Sequence, residues 1–342
     1  MIRNMKKITI IVLFVFPAIT WGQSISLENI DLERILSCEE TDAVCLAELE
    51  TTRALVLALI TQIVAIQMAE QLTVDIDPDA YWLTNEYADE LLTDPLRSGR
   101  SKTFRLHDGE IRNLDESDHA VYREVWRIFS TILKPDQLEL FDKIKFYNSS
   151  RDHYAALVYQ QIKSRNGRET EEWELHVNLE NVSFKTDQSY NDAIETLAHE
   201  AGHFLLMNGQ QVEFFVDEED CDSYYIIELG SCARDGSYYD ALRPYWDQDF
   251  INWGHHYLEL FRDDTDRASD QLAAYYLEHY DEHVSQYAAS GPDEDAAETI
   301  AHFARYRVPT GTLEVFEEKV ILLYDFEEMV EFRTRVRGLL RM

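Results

Sequence analysis

The chain has 342 residues, of which 65 are acidic and 31 are basic, so its formal net charge is −34. A surface this negative repels phosphate backbones and anionic lipid, which argues against nucleic-acid binding and peripheral membrane binding. Hydrophobic residues make up 45% of the chain and aromatic residues 12%. That composition excludes a disordered acidic chain and predicts a folded protein with a sizeable core.

The N-terminus has the layout of a secretory signal peptide. Three basic residues precede an apolar run from Ile8 to Phe16, and a region of small residues ends near Gly22. The run is too short to cross a membrane and remain there as a stable anchor. We therefore expect residues 1–22 to be removed and the mature chain to be secreted or periplasmic.

Four cysteines follow this segment, in two close pairs: Cys38 with Cys45, and Cys221 with Cys232. In an exported chain an even number of cysteines predicts disulfides, and pairing within each close pair is the simplest of three connectivities. The alternative is a four-cysteine zinc site, but that site usually uses two C-x-x-C-like pairs, which these spacings fit badly.

Two features precede the first predicted strand. The charge-free stretch Ala54–Ala69 predicts a buried or partner-packed helix. The acidic stretch Asp75–Glu86 resembles a calcium loop, but its sixth position is Ala80 where a sharp turn needs glycine. An acidic loop with helix-capping aspartates is the simpler interpretation, and calcium binding stays open.

The periodicity of the remaining chain predicts a mixture of helices and strands. Asp118–Phe146 has a helical pattern broken at Pro135, Ala155–Gln161 and Trp173–Leu179 alternate as strands, and Ser189–Asn208 is a capped helix. Further helices are predicted around 265–283, 292–306 and 313–340. The fold class is therefore α+β.

Three regions divide the chain in this interpretation. Residues 1–22 form the signal peptide, residues 23–135 form a mainly helical N-terminal region, and residues 136–342 form the domain that carries the chemistry. The role of the region 23–135 as a pro-segment, an exosite or a packing domain is left open by the sequence.

The chemistry is indicated by the sequence His199-Glu200-Ala-Gly-His203, an H-E-x-x-H motif inside the predicted helix. Spacing of i and i+4 places both imidazoles on one helix face, where they can bind the same zinc ion. The apolar flanks of the motif argue against the simpler alternative, a solvated helix face with two histidines.

A catalytic zinc ion needs a third protein ligand and an open position for water. The histidine of the metzincin pattern is missing, because Gly209 stands at its position. Glu294 is the best candidate, since it lies in the first turn of a predicted helix that begins near Pro292. Glu298, one turn further, would accept an N–H from a ligand histidine. Glu228 is the fallback ligand.

A second histidine pattern competes with the first. His279, Glu282 and His283 form H-x-x-E-H, the inverted form of the motif. That motif requires a third glutamate many tens of residues downstream, but the sequence ends at Met342. We therefore expect this stretch to be a helix face rather than a metal site.

The combined motifs resemble those of the gluzincin metallopeptidases, which include thermolysin. A closer similarity is to the protease domain of anthrax lethal factor, in which a tyrosine precedes the zinc-binding glutamate of E-x-x-A-E by seven residues. Here Tyr287 precedes Glu294 by seven, and Glu294–Glu298 has that form. A wider similarity, over roughly 140–305, is to secreted bacterial zinc metallopeptidases. The matching stretches are Trp173-Glu-Leu175, His199–His203, Cys221–Cys232, Tyr245-Trp246 and Val284–Glu298.

The resemblance implies a zincin-like fold, with a small mixed sheet, an active-site helix and a helical C-terminal half. One zinc ion would be bound by His199, His203 and Glu294. Zinc lowers the pKa of water to make a nucleophile, Glu200 would act as general base, and Tyr287 would donate a hydrogen bond to the oxyanion or the water.

The expected substrate is a peptide or protein. The resemblance places the strand Trp173–Leu179 at the cleft, where it could pair with an extended substrate, and a plain strand inside the sheet is the equal alternative. Two alternatives to an endopeptidase stay open. One is an exported protein that binds zinc without turnover, and the other is a zinc amidohydrolase acting on cell-wall peptides. The oligomeric state is not indicated by the sequence.

Overall fold

The structure, a computed structural model, describes residues 85–115, 117–151, 154–165, 168–227 and 229–341. The predicted signal peptide, the Cys38–Cys45 pair, the predicted helix Ala54–Ala69, nearly all of the loop Asp75–Glu86, and Glu228 lie outside the described residues.

A five-stranded mixed sheet, in the order β2-β1-β3-β5-β4, is the framework of the described part. Its strands are β1 (Ser101–His107), β2 (Glu110–Arg112), β3 (Phe141–Tyr147), β4 (Ala156–Arg165) and β5 (Arg168–Asn178). Strands β3 and β5 are parallel, and the other neighbours are antiparallel. The α+β class is confirmed.

Ten described α-helices, numbered in chain order, accompany this sheet. They are α1 (Asn85–Leu91), α2 (Ala120–Ile132), α3 (Pro135–Leu138), α4 (Asp187–Met207), α5 (Tyr238–Leu242), α6 (Gln248–Asp263), α7 (Thr265–Glu278), α8 (Pro292–Arg305), α9 (Val315–Leu322) and α10 (Glu327–Leu339). No helix in the described part of the chain is both long and apolar enough to cross a membrane.

Strands β4 and β5 and helix α4 confirm the predicted elements, whereas the predicted helix over Asp118–Phe146 is wrong at its end. Phe141, Ile144 and Phe146 are buried in strand β3. Backbone pairing with β1 on one side and β5 on the other overrides the local helical periodicity. The predicted helix 313–340 is two helices, α9 and α10, separated by a 3₁₀ turn at Leu323–Asp325.

Strands β1 and β2 lie in the region 23–135, which was predicted to be mainly helical. In β1, Phe104 and Leu106 are buried and alternate with exposed residues. Because β1 pairs with β3, this stretch shares a sheet with the segment after residue 135.

Aromatic side chains join the sheet to the helices above it. Phe129 of α2 contacts Phe141 of β3 with ring centroids 5.2 Å apart, and Phe204 of α4 contacts both Phe141 and Trp173 of β5 at 5.2 Å. These rings are almost fully buried. The tight aromatic packing fixes α4 against the sheet.

Helix α4 is defined at both ends by side chains. Thr186 and Ser189 form a reciprocal capping box at its start, with both backbone-to-hydroxyl distances at 3.0 Å. At its end the amide of Asn208 donates to the carbonyl of Phe204 at 3.0 Å. Such caps satisfy backbone groups that the helix leaves unpaired.

Between α4 and α8 the chain makes a long excursion. It forms a small sheet of β6 (Val212–Phe214), β8 (Ser231–Ala233) and β7 (Tyr225–Ile226), in that order, and then helices α5 to α7. A disulfide joins Cys221 to Cys232 within this excursion, as predicted. The chain then returns to pack α8 directly against α4.

Candidate metal centre

Helix α4 presents the two histidines of the H-E-x-x-H motif on one face, as predicted. His199 and His203 are buried, and their Nε2 atoms lie 3.0 Å apart. Their rings are nearly perpendicular. Most of the other buried residues of α4 are apolar, so this face carries its buried polar side chains.

Helix α8 brings Glu294 to these histidines. It begins at Pro292, as the sequence predicts, so Glu294 lies in its first turn. The two helices approach closely at Gly202, where a Cβ would lie 3.4 Å from the carbonyl oxygen of Ala297, in ordinary van der Waals contact. Packing between the middle of α8 and this part of α4 therefore brings Glu294 near the histidines.

The three side chains form a compact triangle of ligand atoms. Glu294 Oε2 lies 3.3 Å from His199 Nε2 and 3.2 Å from His203 Nε2, and the group could hold a metal ion. A tetrahedral zinc ion bound at about 2.0–2.1 Å places its ligands about 3.3 Å apart. The triangle therefore has nearly the size that a tetrahedral zinc site requires.

Glu298 fixes the orientation of His199. Its Oε1 lies 2.8 Å from His199 Nδ1, and its Oε2 accepts a hydrogen bond from the hydroxyl of Ser285 at 2.6 Å. When Nδ1 carries the proton, a neutral His199 ring points an unprotonated Nε2 at Glu294 Oε2. Two lone pairs then face each other, and a cation between them would satisfy both.

The charges at the site are strongly coupled. Burial opposes protonation of His199, but the carboxylates of Glu294 and Glu298 outweigh it and hold its pKa well above the usual value. Burial likewise opposes ionisation of Glu294, yet His203 and His199 lower its pKa far below the usual value. Glu294 Oε2 is buried and faces the two imidazole Nε2 atoms without a well-aligned hydrogen bond to either. The side chains alone thus favour a positive charge at this point.

Glu200 is buried beside the triangle without belonging to it. Its Oε2 accepts a hydrogen bond from the backbone N–H of Val158 on β4 at 2.8 Å. Burial is the main cause that raises its pKa, although both histidines act in the opposite direction. A raised carboxyl pKa suits a general base that works near neutral pH.

Tyr287 lies on the open side of the triangle. Its hydroxyl donates to Glu294 Oε1 at 2.9 Å, and its ring centroid is 5.7 Å from that of His199. Burial, followed by the charge of Glu294, raises its pKa well above the usual value. The hydroxyl therefore stays protonated and remains a hydrogen-bond donor.

A cleft of about 1280 Å³ opens over these residues. Strand β4 lines one side with residues 156–160, and helix α6 lines another with Tyr257 and Phe261. Of the two alternatives for β5, the structure supports the plain sheet strand and not the strand that pairs with substrate, because β3 and β4 occupy both of its edges. Strand β4 is the terminal strand of the sheet on the side of the cleft.

The inverted motif does not form a second metal site. His279 Nδ1 lies 3.1 Å from Glu282, whereas His283 Nδ1 lies 2.8 Å from Asp295. The two histidines therefore have different partners, and the predicted helix face is wrong, because both follow the last helical residue, Glu278. The predicted helix 265–283 itself ends at Glu278.

Two contacts of the site could not be read from the motifs. The backbone N–H that holds Glu200 comes from β4, and a backbone donor has no sequence signature. The hydroxyl that holds Glu298 comes from Ser285, one of many serines in the chain. Both contacts depend on the fold.

No protein family, curated protein or solved structure matches this chain.

Proposed function

We propose that this chain is an exported, zinc-dependent endopeptidase with a zincin-like fold. The observation that carries the proposal is the triangle formed by His199, His203 and Glu294, whose edges of 3.0–3.3 Å have the size of a tetrahedral zinc site. The similarity of the motifs to those of gluzincins supports the same function.

The chain's own residues divide the work of peptide hydrolysis. When bound, zinc supplies a Lewis acid that polarises a carbonyl and lowers the pKa of water. Glu200 accepts the proton of the attacking water and passes it to the leaving amine. Tyr287 donates its hydroxyl proton in a hydrogen bond to the developing oxyanion.

Glu298 keeps His199 in the tautomer that a zinc ligand requires, since its carboxylate accepts the Nδ1 proton. Ser285 in turn holds the second oxygen of Glu298. Glu294 and Glu298 are thus both engaged by the histidines. Glu200 is the neighbouring carboxylate that can exchange protons.

The cleft suits an extended peptide. Strand β4 ends the sheet, and its backbone could pair with a substrate strand, a common mode of peptide recognition. Aromatic side chains of α6 face the same cleft and would bind apolar side chains of the substrate.

The proposal is tested with purified protein, a peptide library and muropeptides, with zinc content measured in the same samples. We expect cleavage of peptides that a chelator abolishes and zinc restores. Glu200→Gln should keep zinc and lose about 10²–10⁴-fold in rate. Glu213→Gln is the matched control, because that side chain is 66% exposed on β6. Zinc binding without cleavage of either substrate would leave a non-catalytic zinc protein, and cleavage of muropeptides alone would identify the amidohydrolase.

A further inference from the structure

A buried cluster of polar side chains lies directly behind the third ligand. Asp295, the residue after Glu294, is fully buried and binds three donors. Its Oδ2 accepts hydrogen bonds from Lys319 Nζ at 2.7 Å and Trp246 Nε1 at 2.8 Å, and its Oδ1 lies 2.8 Å from His283 Nδ1. These four residues are called the Asp295 cluster.

The members of the Asp295 cluster come from four separate segments. Trp246 lies before α6, His283 lies between α7 and α8, and Lys319 lies on α9. Lys319 Nζ also donates to the backbone carbonyl of Glu282 at 2.7 Å. The cluster therefore ties the first turn of α8 to three other parts of the fold.

Asp295 and Glu294 point in different directions from the same helical turn. Successive side chains of a helix are about 100° apart around its axis. Glu294 reaches the two histidines, while Asp295 is held in the cluster by partners on the other segments. Any rotation of the first turn of α8 that displaced Glu294 would also break the contacts of Asp295. The cluster therefore resists such a rotation.

Stability alone does not account for the cluster. Lys319 and Asp295 are both fully buried, and taking two charges out of water is costly. A hydrophobic pair of similar volume is often as stable as a buried ion pair, or more stable. What the ion pair adds is a defined geometry, and a metal ligand must be held to within about 0.5 Å of its productive position.

We propose that the Asp295 cluster positions Glu294 and thereby sets the metal affinity of the site. Lys319, on a helix that contributes no ligand, would control zinc binding through Asp295. His283 then has a role in the centre that its inverted motif did not predict. The assigned role rests on the proposed zinc centre, but not on peptide hydrolysis.

The test is a double variant, Asp295→Asn with Lys319→Met, which removes both charges and nearly preserves the shapes of the side chains. The zinc dissociation constant is measured by competition with a chromophoric chelator, and the cobalt-substituted protein gives a visible spectrum of the ligand geometry. We expect zinc binding to weaken about 10–100-fold and the cobalt spectrum to change.

The matched control is Glu124→Gln with Arg127→Met. It neutralises another ion pair that contacts α4, in which Arg127 lies 2.9 Å from Glu124. This control should keep the wild-type zinc affinity and cobalt spectrum. A general loss of stability would weaken binding in both double variants, whereas a positioning role weakens it only in the first.

Wild-type zinc affinity and cobalt spectrum in the Asp295→Asn/Lys319→Met protein would overturn the positioning role. If that protein does not fold, His283→Asn decides the question, and an unchanged dissociation constant there also overturns it. Zinc binding by the wild type without peptide cleavage would refute the endopeptidase alone. Absence of zinc binding by the wild type would refute both.

Discussion

Helix α4 takes part in two buried clusters of charged side chains. In the first the carboxylate is surrounded by hydrogen-bond donors, and in the second it is not. Near the start of α4, Tyr190 joins Glu124 and Arg127 of α2 and Tyr87 of α1. The Glu124 carboxylate accepts hydrogen bonds from Arg127 at 2.9 and 3.1 Å, from Tyr87 at 2.9 Å, and from Tyr190. Near its middle, the three ligand candidates instead turn possible metal-ligand atoms toward one another.

The difference separates a self-contained structural cluster from a candidate metal site. In the Glu124 cluster one negative charge meets one positive charge and two hydroxyl donors, so the group is complete by itself. At the candidate metal centre Glu294 Oε2 is buried and has no well-aligned hydrogen bond to either imidazole. A buried polar group without a partner is costly, and a bound cation removes that cost.

The largest expected effect is on stabilisation by zinc. A ligand at 1,000 times its dissociation constant stabilises the folded state by about 4 kcal/mol. His203→Ala removes one corner of the triangle, so zinc should no longer raise its thermal unfolding midpoint. Calorimetry with and without zinc measures this. Glu124→Gln is the control and should keep the zinc-dependent rise.

The next effect concerns the stability of the metal-free protein. Glu124→Gln leaves the charge of Arg127 without its carboxylate partner, and breaking a buried pair costs about 3–5 kcal/mol. Chemical unfolding measures the loss. If Glu124→Gln instead shifted the zinc dissociation constant and not the stability, the division between the two clusters would be wrong.

The stability lost in Glu124→Gln should depend on pH. Burial opposes ionisation of Glu124, but Arg127, Tyr190 and Tyr87 outweigh it and lower its pKa below the usual value. The unfolded chain therefore takes up this proton first as the pH falls, which favours unfolding. The stability gap between wild type and Glu124→Gln should be constant above about pH 5 and shrink below it. A gap that stays constant to about pH 3 would contradict the lowered pKa.

A smaller effect is expected at the residue that orients His199. Glu298→Gln loses the charged acceptor of the Nδ1 proton, so zinc should bind about 10–100-fold more weakly. The folded state of the metal-free protein should be affected less, because Glu298 is partly exposed. Competition with a chelator measures the affinity. Equal zinc affinity in Glu298→Gln and in wild type would show that His199 does not need this contact.

The sequence predicted the residues of the candidate metal centre better than their surroundings, for a physical reason. His199 and His203 are fixed by the periodicity of one helix, and Glu294 lies in a first turn marked by Pro292. These are local rules. The edge position of β4 and the strand β3 depend on pairing between distant segments. The resemblance therefore did not identify the edge strand of the cleft, and local periodicity misassigned the end of the 118–146 helix.

Lys319 shows what a finer interpretation of the sequence could have found. It is directly followed by four apolar residues, Val-Ile-Leu-Leu, so burial of this stretch would also bury the lysine, and a lysine is almost never fully buried unless it is paired. Its partner, Asp295, was one of several acids at the start of α8. Only the fold distinguishes it from Asp293 and Glu294.

The smallest effects are expected at two helical glycines that pack against α8. At Gly202 a Cβ would lie 3.4–3.5 Å from its nearest neighbours, which is ordinary contact, so Gly202→Ala should gain up to about 1 kcal/mol of helix stability. At Gly254 a Cβ would lie 3.0 Å from the Cα of Gly291 and 3.1 Å from Pro292. Overpacking there costs about 1–3 kcal/mol.

The two variants distinguish the contribution of the middle of α8 to zinc binding from that of its start. Gly254→Ala pushes α6 against the residues that begin α8, so it should weaken zinc binding as well as stability, because Glu294 lies in that first turn. Gly202→Ala should keep the wild-type zinc affinity. Unfolding curves and chelator competition on both proteins measure these effects. Weaker zinc binding in Gly202→Ala than in Gly254→Ala would mean that the contact between α4 and the middle of α8, and not the start of α8, positions the third ligand.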